Sequence, residues 1–256
     1  MAFVGKKHPV LLIPTAREAA AMGEGNWLRL MREREENIRK EQLDPLRYGY
    51  EPPVWRLADA LLDLGDDKAG NERIRLALGF ERRLTVLLIN GGNRGSKTDY
   101  PTKRIVQQSL LREKQKAWAF HSTRDMSIEV HHERFWHYLP PECRHTVKGE
   151  VEYISYKKKT GFSDMEYVLG NESATSFKYY SMEKDDAIQG GELDAFLGDE
   201  LIPIDWVDDL QMRLATRSGW GVVAFTPLEG YSSTVRAFTD GDRKSTRLNS
   251  SHRIRS

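Results

Sequence analysis

Cysteine is almost missing from this 256-residue chain: Cys143 stands alone, so no disulfide can close within it. Long apolar runs are missing too. The opening MAFVGKKHPVLLIP offers only Val10, Leu11, Leu12 and Ile13 before Pro14, too little for a secretory signal, and no run approaches the length of a membrane span. Nor is there an excess of one charge: 39 Lys and Arg face 38 Asp and Glu. That balance excludes neither a polyanionic partner nor a neutral one, and it leaves room for local basic patches. These shortages together fit an intracellular protein. With 39% hydrophobic and 30% charged residues, the chain has the length for one large α/β domain with a small appendage.

The stretch LTVLLINGGNRGSKT, residues 84–98, is the element around which the rest is organised. Its first half is short, apolar and partly β-branched, as a buried strand requires, and it runs straight into a glycine-rich turn ending in Lys97 and Thr98. Small residues let successive backbone N–H groups curl round an anion, the next helix aims its N-terminus at the same point, and Lys97 adds a full positive charge. A threonine after that lysine can place its hydroxyl on a magnesium ion bridging the phosphates. The pattern G-x-x-x-x-G-K-[ST] is matched in all but one place, with Gly91 at its first position and Ser96 where its last glycine belongs, Gly95 lying one residue earlier. The plain alternative is a β-turn-α connection with a solvent-facing lysine.

Around this stretch the chain divides into an N-terminal helical appendage (1–47), a body (48–243) and a tail (244–256). Residues 16–38 are helix-compatible with a break near Gly23-Glu24-Gly25. In YGYEPPVWRLADALLDLG, residues 48–65, Pro52-Pro53 stiffens a helix start, and Trp55, Ala58, Leu61 and Leu62 share one face. This segment, with Tyr50 and Trp55, offers either an apolar slot for an adenine base or ordinary core packing. Residues 73–83 read as a charged lead-in to the first strand. After the turn come a helix (100–111), a strand (116–121) with a polar exit, and a helix (126–138) stopped by Pro140-Pro141. His131, His132, His137, Cys143 and His145 match no defensible zinc spacing. Residues 151–156 and 166–169 read as two strands joined by KKKTGFSD, whose lysines suit a solvated turn or a phosphate backbone. A strand at 173–180 follows, then a loop and helix start at 185–192.

The second sharp signal is AFLGDE, residues 195–200. A buried strand ending in Asp199 and Glu200 would set one carboxylate toward magnesium and the other toward a water in line with a γ-phosphate. A helix over 205–214 and a strand over 221–226 complete the body. Thr226, ahead of Pro227-Leu228-Glu229-Gly230, sits at a strand tip able to sense a phosphate. The last segment, KSTRLNSSHRIRS, is serine-rich and basic with no hydrophobic period, and reads as appended vector-like sequence.

In this order, GGNRGSKT at 91–98, LDAFLGDE at 193–200 and FTPLEG at 225–230 resemble the ATPase domain of the large terminase subunit, the DNA-packaging motor of tailed phages. The resemblance covers about residues 45–235. It implies a P-loop NTPase fold, an open and mainly parallel sheet flanked by helices. It implies an adenine site near Tyr50 to Trp55, ATP phosphates held by Gly91, Gly92, Asn93, Arg94, Gly95, Ser96, Lys97 and Thr98, and Mg2+ held by Thr98 and Asp199. Glu200 would activate water, with Lys97 and Arg94 supplying positive charge to the transition state. Thr226 and Pro227 would couple hydrolysis to movement. The implied partners are double-stranded DNA, a portal protein and a small terminase subunit, in a homo-oligomeric ring in the host cytoplasm and at the procapsid portal, with no membrane. The family's metal-dependent nuclease domain is expected to be absent from this stretch. A helicase or other P-loop ATPase, and a nucleotide-independent DNA-binding or scaffold fragment, are the competing expectations.

Overall fold

The computed structural model describes residues 16–91, 96–144, 154–182, 188, 191–200 and 202–226. Helices α1 (Ala16–Met22) and α2 (Glu24–Leu43) break at Gly23, whose φ of 75° suits a residue without a Cβ. The charge-rich α2 itself buries no residue. Attachment to the body begins at α3 (Pro45–Tyr48), where the Asp44 carboxylate accepts from the Arg47 N–H and Pro45 and Leu46 are buried. Helix α4 (Pro53–Leu62) starts on a proline, as first turns tolerate, and buries Trp55, Ala58, Leu61 and Leu62 as their spacing predicts.

The first part of the expected lead-in at 73–83 is the end of a helix instead, α5 (Lys68–Ala77). Its charged composition hides it in the sequence, but Asp67 caps it by accepting from the Gly70 N–H at 2.9 Å, and only Gly70 and Asn71 are buried. Strand β1 (Val86–Asn90) leads through the glycine-rich turn to α6 (Asp99–Leu111), and β2 (Lys116–His121) matches its expected bounds. The next helix is continuous but irregular. Helix α7 (Arg124–Met126) passes through a π-helical segment, Ser127–His132, into α8 (Glu133–Tyr138).

The expected pairing of 151–156 with 166–169 is corrected. Residues 151–153 lie outside the described residues, and β3 (Tyr156–Lys157) turns back at once onto β4 (Gly161–Phe162). Gly161 permits this early reversal: its φ is 73°, and a Cβ there would lie 2.1 Å from His132 Nδ1. Strand β5 (Glu166–Val168) pairs antiparallel with β6 (Ala174–Tyr179) instead. Strands β7 (Ala195–Asp199) and β8 (Trp220–Phe225), joined across α9 (Ile204–Arg217), complete the fold.

The main sheet runs β1-β8-β7-β2-β6-β5, parallel throughout except for the β5 edge. This is the α/β architecture expected, a mainly parallel sheet flanked by helices. The strands alternate between two cores, as a two-residue period demands. Leu87, Ala195, Leu197, Val222 and Ala224 face the core built with α4, α6 and α8. Val86, Leu88, Phe196, Val223 and Phe225 face the one filled by Trp206, Val207, Leu210 and Leu214 of α9.

Candidate functional site

The central strands end level with one another. Asn90 lies opposite Phe225, Asp199 opposite Ala224, and Gly198 opposite Phe120, so the residues leaving β1, β8, β7 and β2 share one edge. Open parallel sheets place their ligands along this edge. Strand β8 lies between the strand that enters the glycine-rich turn and the strand that carries the acidic pair. Half-buried Thr226, which follows it, therefore exits between the two sequence signals.

Gly91 follows β1, and the described chain resumes at Ser96. Gly92, Asn93, Arg94 and Gly95 lie outside the described residues, as does Pro227. Ser96 has φ 53°, the left-handed region that the pattern's glycine would occupy. A serine in that region carries a steric cost of about 1 kcal/mol. Thr98 is the N-cap of α6, and its carbonyl accepts from both the N–H and the hydroxyl of Thr102.

The two signals meet here. Thr98 Oγ1 donates to Asp199 Oδ2 at 2.7 Å, across a separation of 101 residues. Lys97 is partly desolvated; burial pushes its ammonium down from the usual range while the Asp199 charge opposes that shift. Asp199 is 7% exposed and sits at the end of β7. Burial alone would raise its pKa, but hydrogen bonds and charge from His131, with the Thr98 hydroxyl, outweigh that and hold it below the usual carboxylate range. Tyr180 Oη donates to the Asp199 carbonyl at 3.1 Å, fixing the strand end from the far side.

Glu200 is placed differently. Its side chain is 54% exposed, its φ is 60°, and its N–H donates both to Asp199 Oδ1 and to the Ala224 carbonyl. The left-handed backbone turns the glutamate out of the strand line, so adjacent acids end in opposite environments: one buried against a threonine hydroxyl, one open to solvent. The buried carboxylate and the threonine hydroxyl are hard oxygen donors of the kind Mg2+ takes, with the Lys97 charge nearby. An exposed carboxylate next to it can reach a water.

Sequence reasoning missed two residues. His131 Nε2 lies 3.4 Å from Asp199 Oδ2, and His121 Nδ1 lies 4.0 Å from Glu200 Oε2; both imidazoles are buried. Burial, together with the charge of His131, lowers the His121 pKa to about 4. His121 was open to discovery as the last residue of β2, where ligand-facing groups collect. Nothing in the spacing pointed to His131, whose orientation depends on the π-helical turn.

The aromatic segment is divided. Tyr50 is half-buried and its N–H donates to Glu41 Oε1 at 3.2 Å. Trp55 is 5% exposed and belongs to the core, edge-on to Tyr100 with ring centroids 5.6 Å apart and with Arg104 over its face at 5.7 Å. The surfaces it would offer a base are already covered. Its neighbours Gly49, Glu51, Pro52, Pro53 and Arg56 line an open cavity of about 1280 Å³, which continues along α6 past Lys103. None of Lys97, Thr98, Asp199 or Glu200 lines it.

No protein-family model matches the chain, and no curated protein sequence matches it. Among solved structures it is similar to the large terminase ATPase domain of Thermus phage P74-26, at 15% identity over 63% of this chain and 70% of that one, with a TM-score of 0.43. An arginine-to-alanine mutant of the same domain aligns at 16% identity over 70% of this chain and 77% of that one, with a TM-score of 0.45.

Proposed function

We propose that this chain is a magnesium-dependent ATPase of the P-loop type, and that its work is the translocation of double-stranded DNA into a phage procapsid. One observation carries the ATPase reading: the 2.7 Å hydrogen bond from Thr98 to Asp199, which brings the end of the glycine-rich turn onto the strand-end acid. The packaging assignment rests on the ordered motifs GGNRGSKT, LDAFLGDE and FTPLEG.

In this reading the N-terminus of α6 and the Lys97 ammonium bind the β- and γ-phosphates. Thr98 and Asp199 would hold Mg2+, which supplies charge neutralisation across the phosphates. Asp199 stays ionised because it is hydrogen-bonded by Thr98 and His131. Glu200, exposed beside it, orients the attacking water and takes its proton. Arg94 adds positive charge toward the transition state, within its own subunit or across a ring interface. Thr226 leaves the sheet between the two halves of the site and, with Pro227, passes the state of the phosphate to the DNA-moving parts. Portal protein, small terminase subunit and a ring of copies are the partners this function requires.

The test is phosphate release by Glu200→Gln. Removing a positioned base costs about 10²–10⁴ in rate; the expected result is collapsed turnover with magnesium–ATP binding retained by calorimetry. Undiminished hydrolysis would overturn the assignment of Glu200. Loss of heat on Lys97→Ala separates phosphate binding from the chemical step.

A further inference from the structure

The groups around Asp199 include two imidazoles to which the proposed function gives no contact with phosphate, magnesium or water. His121 and His131 are 2% and 0% exposed, and with Asp199 each offers one ligand atom, all within 4.8 Å of one another. Nitrogen and oxygen ligands at about 2.05 Å from a tetrahedral ion lie roughly 3.3 Å apart. The 3.4 Å from His131 Nε2 to Asp199 Oδ2 is already such an edge. Drawing in the third ligand, His121, takes a side-chain rotation that exchanges the 2.8 Å hydrogen bond its Nδ1 accepts from the Ser122 N–H for the metal. Two further observations point the same way. Among the described residues the buried His131 Nδ1 has no hydrogen-bond partner, so none of them pins the ring proton on that side or prevents Nε2 from presenting a lone pair. His131 is also carried by the π-helical segment Ser127–His132, a distortion that recurs at functional sites.

We infer that His121, His131 and Asp199 form a binding site for a borderline divalent cation of the zinc and cobalt class. Imidazole donors favour such ions, whereas Mg2+ takes oxygen ligands and keeps its waters. Three protein ligands leave a fourth position open to water. The site shares Asp199 Oδ2 with the Thr98 hydroxyl. On the ATPase reading, which this consequence alone rests on, the borderline cation and magnesium–nucleotide compete for one oxygen, and the metal acts as a brake on turnover.

The experiment is a titration of the intact chain with Co2+ in the absence of nucleotide, followed by visible ligand-field absorption. One ion per chain is expected, with bands typical of a four- or five-coordinate site. His121→Ala and His131→Gln should each weaken binding at least tenfold, while His137→Ala, outside the cluster, leaves it unchanged. His131→Gln preserves volume and a hydrogen-bonding group, and circular dichroism of each variant shows whether it has folded. Absence of the bands overturns the site, as does survival of equally strong bands in both folded histidine variants. The ATPase reading fails separately, through the loss of magnesium–ATP binding. Cobalt binding without nucleotide binding would retain the metal site and discard the motor, and the reverse would do the opposite.

Discussion

Two buried polar clusters flank the N-terminal half of α6, and they are built on opposite principles. The first joins Glu51, Asp59, Lys103 and Arg104. Arg104 donates to both Glu51 oxygens and both Asp59 oxygens at 2.8–3.0 Å, Lys103 reaches Glu51 at 3.0 Å, and Tyr100 Oη donates to Asp59 at 3.1 Å. Two carboxylates face two cations, and the network ties the chain entering α4 to the middle of α6. The second joins Thr98, His121, His131 and Asp199. It sets one carboxylate against a hydroxyl and two imidazoles, and leaves His131 Nδ1 without a partner among the described residues. A saturated network specifies structure. One with an unmet valence is costly to keep unless a ligand uses it, and this one lies at the strand ends where ligands bind.

Breaking the clusters should therefore give different phenotypes. Arg104→Ala strands two partly buried carboxylates and should cost about 3–5 kcal/mol of folding free energy, read from urea denaturation. Asp199→Asn should leave the urea midpoint nearly unchanged while lowering phosphate release on the order of 100-fold or more, since a metal contact supplies several kcal/mol of transition-state stabilisation. Equal effects of both substitutions on stability would erase the distinction.

Trp55→Ala sharpens the boundary between the clusters. Its ring sits between Tyr100 and Arg104, so the loss should appear as about 3–5 kcal/mol of stability, with nucleotide affinity of the folded fraction little changed. A selective loss of ATP affinity at unchanged stability would return Trp55 to the adenine role.

Acid should dissolve the saturated cluster. Burial alone would raise the Glu51 pKa, but Arg104 and Lys103 outweigh it and hold it down at about 2, against an ordinary 4.5. As pH falls below 4.5 the unfolded chain takes the proton first, so the contribution of Glu51 is complete above that pH and is lost on the way down to 2. The amplitude is modest because the Glu51 side chain is 37% exposed. The stability gap between the native chain and Glu51→Gln should close across this window in denaturation curves taken at successive pH values.

The smallest effect belongs to the turn. Ser96→Gly relieves a left-handed residue and should stabilise by up to about 1 kcal/mol, seen as a small rise in thermal midpoint. A destabilised variant would mean that the serine hydroxyl, not its backbone, holds the turn.

The strands bearing the glycine-rich turn, the acidic pair and Thr226 were legible because buried parallel strands are short apolar runs ending in polar or small residues. Helix α4 was legible through its 3.6-residue period. Helix α5 was hidden by its charges, and the β3–β4 reversal by a lysine run whose turn depends on the space Gly161 leaves beside His132. Residue identity alone determined which groups could carry phosphate, metal and base chemistry, since that follows from charge and donor type. Only the tertiary structure decided that β8 separates β1 from β7, that Trp55 is committed to the core, and that His121 and His131 turn toward Asp199. Each of those depends on long-range strand order or on the pitch of a distorted helix, and neither leaves a periodic trace in the local sequence.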